Sequence, residues 1–237
     1  MKILSTFFAL FLFCLSSSAQ AGDPNWIFFN ANLQVGIPLN RFGDNLGTVG
    51  PGAGGMALFQ IRHQPIFIGV EGSWQTFERE QLEFSVNVPG GFEDYEWRTN
   101  TNMVLGHAVL RFQPDFDFFL WPYADAMVGF KNIYTKTRLI DLNGEEDEVV
   151  ERISNQNDWA LSYGAAVGVQ FAPFENPGIT FDLRLAYLPG QNATYLAKID
   201  NVQVVEEPIE AFEERISGTT MLLPQLGVTI EIFTASE

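Results

Sequence analysis

Residues 159–171 read Trp-Ala-Leu-Ser-Tyr-Gly-Ala-Ala-Val-Gly-Val-Gln-Phe. The odd-numbered positions carry apolar or aromatic side chains, and the positions between them carry small or polar ones. Successive side chains of a β-strand point to opposite faces, so this period of two predicts a strand with one apolar face and one polar face. The stretch is long enough for a tilted strand to cross a bilayer, which takes roughly 9–11 residues.

The same alternation recurs along the chain. Three further segments show it clearly, namely 27–37, 179–187 and 226–232. Four segments show it more weakly, namely 53–62, 66–77, 99–112 and 120–131. Which face is apolar stays open for 53–62 and 99–112. The pattern therefore predicts eight strands.

The connections between these segments alternate in length. Four are long, namely 38–52, 78–98, 132–158 and 188–217, and three are short, namely 63–65, 113–119 and 172–178. An antiparallel barrel with an even number of strands has this rhythm, because both termini then lie on the side of the short turns. The sequence thus predicts an all-β fold, an eight-stranded antiparallel up-and-down transmembrane β-barrel.

The first residues predict export. Residues 1–21 contain a positive start, a short apolar run and a small-residue cleavage site, the pattern of a signal peptide that is removed. The single cysteine, Cys14, lies in this segment, so the predicted barrel domain, residues 22–237, has no thiol chemistry. Export places the short turns in the periplasm and the four long loops outside the cell.

Composition excludes other classes of protein. Hydrophobic residues make up 46% of the chain, but no run of 18 apolar residues follows the signal, which excludes a transmembrane helix. The net charge of −16 disfavours nucleic-acid binding, because phosphates are repelled. The four long segments hold 20 of the 29 acidic residues, which predicts acidic external loops.

The chain resembles the small outer-membrane barrels of the OmpA/OmpX type. The resemblance covers residues 26–233 and rests on the signal peptide, the amphipathic strands, the loop rhythm and the terminal Ile230-Glu231-Ile232-Phe233. It implies residence in the outer membrane, contact with its lipid and lipopolysaccharide, and insertion by the barrel-assembly machinery after periplasmic chaperoning. Members of this group are anchors, adhesins, narrow pores or, rarely, lipid-modifying enzymes, so the resemblance selects no single function.

The polar face of the strands carries many charges. Alternation predicts that six charged residues point into the barrel: Glu71, Asp125, Lys131, Asp182, Arg184 and Glu231. Arg62, His107 and Arg111 join them if their strands have the matching parity. An eight-stranded barrel is filled by side chains, and buried charges need partners. We therefore predict a structural ion-pair network that plugs the lumen, with a gated narrow pore lined by the same groups as the alternative.

No pattern of catalytic, cofactor-binding or metal-binding residues stands out. His63 falls in a predicted turn, and pairing His107 with Ser73 or Ser162 would be arbitrary from the sequence alone. Asn143-Gly144 predicts a hairpin tip, and Asn192-Ala193-Thr194 has only the form of a glycosylation acceptor. The sequence predicts a protein that is not an enzyme and binds no cofactor.

Three functions compete at this point. The first is a non-enzymatic barrel that stabilises the envelope or presents surface loops, as an adhesion scaffold does. The second is a narrow porin-like channel, which needs a water path past Glu71, Asp125 and Arg184. The third is a soluble lipocalin-like barrel that binds a ligand, with its apolar face inside. Alternation alone does not say which face is inside.

Overall fold

The computed structural model describes residues 26–61, 64–88, 91–114, 119–142, 148–172, 178–199, 209 and 212–233. The predicted signal peptide, residues 1–21, lies outside this range. Within it, the chain forms β1 (Trp26–Pro38), α1 (Asn40–Leu46), β2 (Gly50–Gln60), β3 (Ile66–Val88), β4 (Gly91–Phe112), β5 (Leu120–Asp141), β6 (Glu148–Phe171), β7 (Ile179–Leu188), β8 (Asn192–Lys198), β9 (Phe212–Gly218) and β10 (Met221–Phe233). No helix of the described residues has the length and apolar character needed to cross a membrane.

Eight of these strands close into a barrel, in the ring order β1-β10-β7-β6-β5-β4-β3-β2. Every neighbouring pair is antiparallel, and the ring is sealed where β1 meets β10, with Ile27 opposite Ile232. Because the ring is closed, each of the eight barrel strands is hydrogen-bonded to a neighbouring strand on both of its edges. The predicted eight-stranded antiparallel up-and-down barrel is confirmed.

The apolar face of the strands points outward. Val167, Leu183 and Ile230 are 62%, 47% and 51% exposed, whereas Asp182 and Arg184 on the opposite face are 3% and 5% exposed. This arrangement is costly in water and favourable in hydrocarbon, so it fits a barrel that crosses a bilayer. It is the reverse of the lipocalin-like barrel, whose apolar face would be inside.

The structure assigns the faces that the sequence left open. On β2, Met56 and Leu58 point into the barrel and are buried. On β4, His107 and Arg111 are buried inside, while Leu110 is exposed outside. Arg62 and His63 lie outside the described residues.

Two of the predicted long connections are largely strand. β3 and β4 remain paired up to Val88 and Gly91, and β5 and β6 up to Asp141 and Glu148, so both hairpins extend past the barrel. Bulges interrupt the period of two: β3 has an extra residue between Thr76 and Glu78, and β6 has one between Ser154 and Gln156. A β-bulge inserts an extra residue and so hides a continuing strand from a search for alternation. The Asn143-Gly144 tip lies outside the described residues.

The other two long connections form a helix, α1, and a hairpin, β8–β9, which together are called the cap. The segment after β1 forms the seven-residue helix α1, which is followed by Gly47 in the left-handed conformation. The Gly47 N–H donates to the Gly43 carbonyl at 2.8 Å. The segment after β7 forms the hairpin β8–β9, whose strands pair antiparallel from Asn192 with Gly218 to Lys198 with Phe212. Both elements are too short for a hydrophobic period to predict them.

Candidate functional site

Arg184 is the centre of a buried ion-pair network inside the barrel. Its guanidinium donates to both carboxylate oxygens of Glu71, at 2.8 and 3.1 Å, and to the amide oxygen of Gln225 at 2.7 Å. Its Nε lies 2.9 Å from a carboxylate oxygen of Asp125. The two-pronged contact with Glu71 is the strongest geometry available to an arginine and a carboxylate.

Arg111 forms the second cation of the network. It donates to both oxygens of Asp125, at 2.7 and 3.1 Å, so Asp125 lies between two arginines. Its guanidinium carbon lies 3.5 Å from the centre of the Tyr123 ring, and the Tyr123 hydroxyl donates to Asp182 at 2.5 Å. Asp182 also accepts a hydrogen bond from Gln170 at 3.3 Å.

Strand register explains this assembly. Arg111 on β4 is directly opposite Asp125 on β5, so the two side chains point inward from neighbouring strands. The Tyr123 ring has room because position 168 is glycine: a Cβ there would lie 2.3 Å from the ring carbon that carries the hydroxyl. The backbone therefore places three carboxylates and two guanidinium groups within one layer of the lumen.

The other two predicted charges lie elsewhere. Lys131 is fully buried and donates to two backbone carbonyls, those of Leu188 at 2.8 Å and Thr219 at 2.5 Å. No carboxylate of the described residues lies within ion-pair distance of its ammonium group. Glu231 is half-buried near the short turns, where Thr180 donates to it at 3.3 Å. The structure thus brings together four of the six predicted residues.

The network includes three neutral residues that the alternation of charged residues did not predict. Tyr123, Gln170 and Gln225 add hydrogen bonds to the carboxylates and to Arg184. Two buried donors, Arg184 Nε and Arg111 Nη1, have no hydrogen-bond partner among the described residues. Inward parity on β5, β6 and β10 was the signal that could have identified the three neutral residues, since it applies to neutral polar side chains as well as to charged ones. Neutral hydrogen-bonding groups contribute alongside counter-charges, because each hydrogen bond to a buried ion offsets part of its desolvation cost.

His107 does have a serine partner, Ser162, at 2.8 Å. Both side chains point into the lumen, and both are buried, so no lipid or external substrate reaches them. The pair is therefore an internal hydrogen bond between β4 and β6. Among the described residues, no group of three or more His, Cys, Asp and Glu side chains is placed to hold a metal ion.

The opposite end of the lumen, towards the long hairpins, is closed by the cap. Phe42 of α1 packs edge-on against Tyr195 of β8, with ring centres 5.2 Å apart. The Tyr195 hydroxyl accepts a hydrogen bond from Asn45 at 2.7 Å and makes another with Ser217, also at 2.7 Å. The cap is attached to the barrel wall, where the backbone N–H of Thr194 donates to Asp158 at 2.8 Å. Helix and hairpin together cover the mouth of the barrel.

No protein-family model matches the chain, and no curated protein matches it. Three solved structures that it resembles are outer-membrane or surface proteins. Neisserial surface protein A is 12% identical, with a TM-score of 0.40, over 88% of this chain and 96% of that one.

The two others are similarly distant. Ail, the attachment invasion locus protein of Yersinia pestis, solved with the heparin analogue sucrose octasulfate, is 13% identical with a TM-score of 0.34, over 89% of this chain and 99% of that one. A major outer membrane protein from Thermus thermophilus is 11% identical with a TM-score of 0.37, over 86% and 99%. Identities this low concern the fold alone. With its closed ring of eight strands and its outward apolar face, this chain has the fold of a small outer-membrane-type β-barrel.

Proposed function

We propose that this protein is a non-enzymatic outer-membrane barrel with a closed lumen, which anchors a platform at the cell surface. The platform consists of the extended hairpins β3–β4 and β5–β6 together with the cap. In this role the barrel stabilises the envelope or presents its external surface to partners. Signal-directed export, with both termini at the short-turn end, supports an orientation in which the hairpins face outward.

One observation carries the proposal: an ion pair crosses the lumen. Arg184 lies on β7 and Glu71 on β3, and these two strands are four places apart in the ring of eight, on opposite sides. Their direct contact at 2.8 Å leaves no room between them for a water column. Separating a buried ion pair is strongly unfavourable, so the closed state is the stable one.

Conductance separates this proposal from the porin-like alternative. The refolded protein is added to a planar lipid bilayer, and the current is recorded under an applied voltage. We expect insertion without steady open-channel current. A stable ohmic conductance in the unmodified protein would overturn the closed-lumen proposal in favour of a narrow pore.

Residence in the membrane is tested separately. The full chain, expressed in a Gram-negative host, is followed through fractionation, and its gel migration is compared with and without boiling. We expect it in the outer-membrane fraction, with a folded band that migrates differently from the boiled one. Recovery of folded protein in the soluble periplasmic fraction without detergent would contradict the proposal.

A further inference from the structure

Basic side chains are concentrated on one outward surface of the extended hairpins. Arg98 on β4, Arg138 on β5 and Arg152 on β6 are direct register partners, so they form a row across three adjacent strands. Directly opposite residues of an antiparallel pair lie on the same face of the sheet. Three guanidinium groups therefore point the same way at neighbouring positions.

A second basic row lies two residues nearer the barrel. Lys136 on β5 faces Asn100 on β4, and Asn100 in turn faces Arg79 on β3. Positions two apart on a strand share a face, so both rows belong to one surface. We call it the basic face, and it consists of Arg79, Arg98, Lys136, Arg138 and Arg152. It holds five of the 13 basic residues of a chain whose net charge is −16.

Two carboxylates, Glu96 and its register partner Glu83, lie in the next row of the same face, and Glu96 forms an ion pair with Arg98. Among the described side chains, no ion pair involves Lys136, Arg138 or Arg152. Arg98 donates to Glu96 at 2.8 and 2.9 Å, and these hydrogen bonds lower the pKa of the Glu96 carboxyl. Lys136 lies 4.8 Å from the centre of the Tyr134 ring, and its side chain is exposed, as are those of Arg138 and Arg152. Like charges at opposite positions destabilise a sheet, so an arginine row is an unfavourable arrangement for folding alone. An external anion would offset that cost.

The position of the basic face indicates the source of the anion. Along the outward side of β5, exposed apolar residues end at Phe130, followed by Asn132 and Tyr134 before Lys136 is reached. The step from Phe130 to Lys136 covers about 20 Å of strand. At a tilt of about 40° this puts Lys136 roughly 15 Å above the apolar belt. In an outer membrane, that layer contains the sugars and phosphates of the outer-leaflet glycolipid.

We propose that the basic face binds the phosphate groups of lipopolysaccharide molecules that pack against the barrel. The proposal rests on the proposed function, since it needs the hairpins to project from the outer leaflet. Arginine suits the role because its fork of N–H donors matches two phosphate oxygens at once. The contact is direct, so it needs no divalent cation between the acidic protein and the anionic lipid.

The test removes charge from the basic face without touching the lumen. A triple variant carries Lys136→Thr, Arg138→Thr and Arg152→Thr, which keeps good strand-forming residues at exposed positions. The matched control carries Arg41→Thr, Lys198→Thr and Arg215→Thr, three exposed basic residues of α1 and the β8–β9 hairpin. Both variants lose the same net charge. Affinity for purified lipopolysaccharide is measured with each detergent-refolded full-length protein, in buffer containing EDTA.

We expect the triple variant to bind about a hundredfold more weakly than the unmodified protein, at about fivefold per basic residue. We expect the control to bind within about threefold of the unmodified protein. Lipopolysaccharide stripped of its phosphates should bind the unmodified protein as weakly as intact lipopolysaccharide binds the triple variant.

Three results would overturn the inference: unchanged affinity of the triple variant, an equal loss in the control, or a loss that is just as large with dephosphorylated lipopolysaccharide. Tighter binding of heparin than of lipopolysaccharide would also overturn it, in favour of a soluble polyanion. Bilayer insertion of the unmodified protein is scored in parallel. Failure to insert refutes the proposed function, whereas normal insertion with an unaffected triple variant refutes only the basic face.

Discussion

The two halves of the lumen are filled by different chemistry. Near the short turns, three carboxylates face two arginines, and each charge has a direct counter-charge. Near the hairpins, one cation, Lys131, is held by two backbone carbonyls beneath an apolar cap. Three carboxylates and two guanidinium groups give the network a formal charge of −1, and Lys131 adds a formal charge of +1 farther along the lumen. One barrel can therefore be filled by direct ion pairs in one half and by backbone hydrogen bonds and apolar packing in the other.

Removing the central arginine should have the largest effect. Arg184→Met leaves Glu71 without its ion-pair partner and Asp125 with only Arg111. Breaking a buried ion pair from one side costs about 3–5 kcal/mol. We expect a loss of that size in the free energy of unfolding by urea, measured in lipid vesicles. A loss below about 1 kcal/mol, the size of an ordinary hydrogen bond, would mean that the network is not the main stabilising element of the lumen.

Overpacking the ion-pair network should lower the free energy of unfolding by less than removing Arg184. In Gly168→Ala the new Cβ would lie 2.3 Å from the Tyr123 ring, so the ring must shift away from Arg111 and Asp182. Overpacking of this kind costs about 1–3 kcal/mol. The control is Gly72→Ala, where the nearest atom to the new Cβ is 4.0 Å away. Equal urea midpoints for the two variants would contradict the claim that Gly168 makes room for the Tyr123 ring.

Removing Lys131 should lower the free energy of unfolding by less than removing Arg184. Lys131→Met removes a donor from the carbonyls of Leu188 and Thr219 but leaves no unpaired charge behind. We expect a cost of about 1–2 kcal/mol, smaller than that of Arg184→Met, because only hydrogen bonds to neutral groups are lost. A cost equal to that of Arg184→Met would show that the ion pairs of one half are no more stabilising than the carbonyl hydrogen bonds of the other.

The smallest effect is expected in the cap. Tyr195→Phe removes the hydrogen bonds that the hydroxyl makes with Asn45 and Ser217 but keeps the ring packed against Phe42. We expect a loss of about 1 kcal/mol, confined to the cap. The readout is the rate of proteolysis of the β8–β9 segment in the folded protein. Tyr187→Phe, at an exposed outward position, serves as the control and should cleave at the unmodified rate.

The barrel was predictable because its signal is repeated. Each strand must present an apolar face to the bilayer, so Leu183, Val167 and Ile230 are all positioned by the same period of two. The cap has no such repetition, since α1 spans only seven residues. Bulges in β3 and β6 break the alternation where those strands leave the apolar belt. Outside hydrocarbon, a strand no longer needs one uniformly apolar side.

The sequence predicted which side chains of the candidate site point into the barrel, but not which of them are in contact. Parity alone pointed Glu71, Asp125, Lys131, Asp182 and Arg184 inward. It could not distinguish Lys131, which has only carbonyl partners, from Arg184, which has two carboxylate partners. It also gave no reason to prefer Ser162 over Ser73 as the partner of His107.

The sequence by itself determined the number of barrel strands, their antiparallel order and the charged character of the inward side. These follow from alternation and connection length, which are local properties of the chain. Tertiary structure alone decided which charges meet across the lumen, how the cap closes the mouth, and that arginines of three strands form one row. Those facts depend on closure and on register, which bring together residues such as Glu71 and Arg184 that are far apart in the chain.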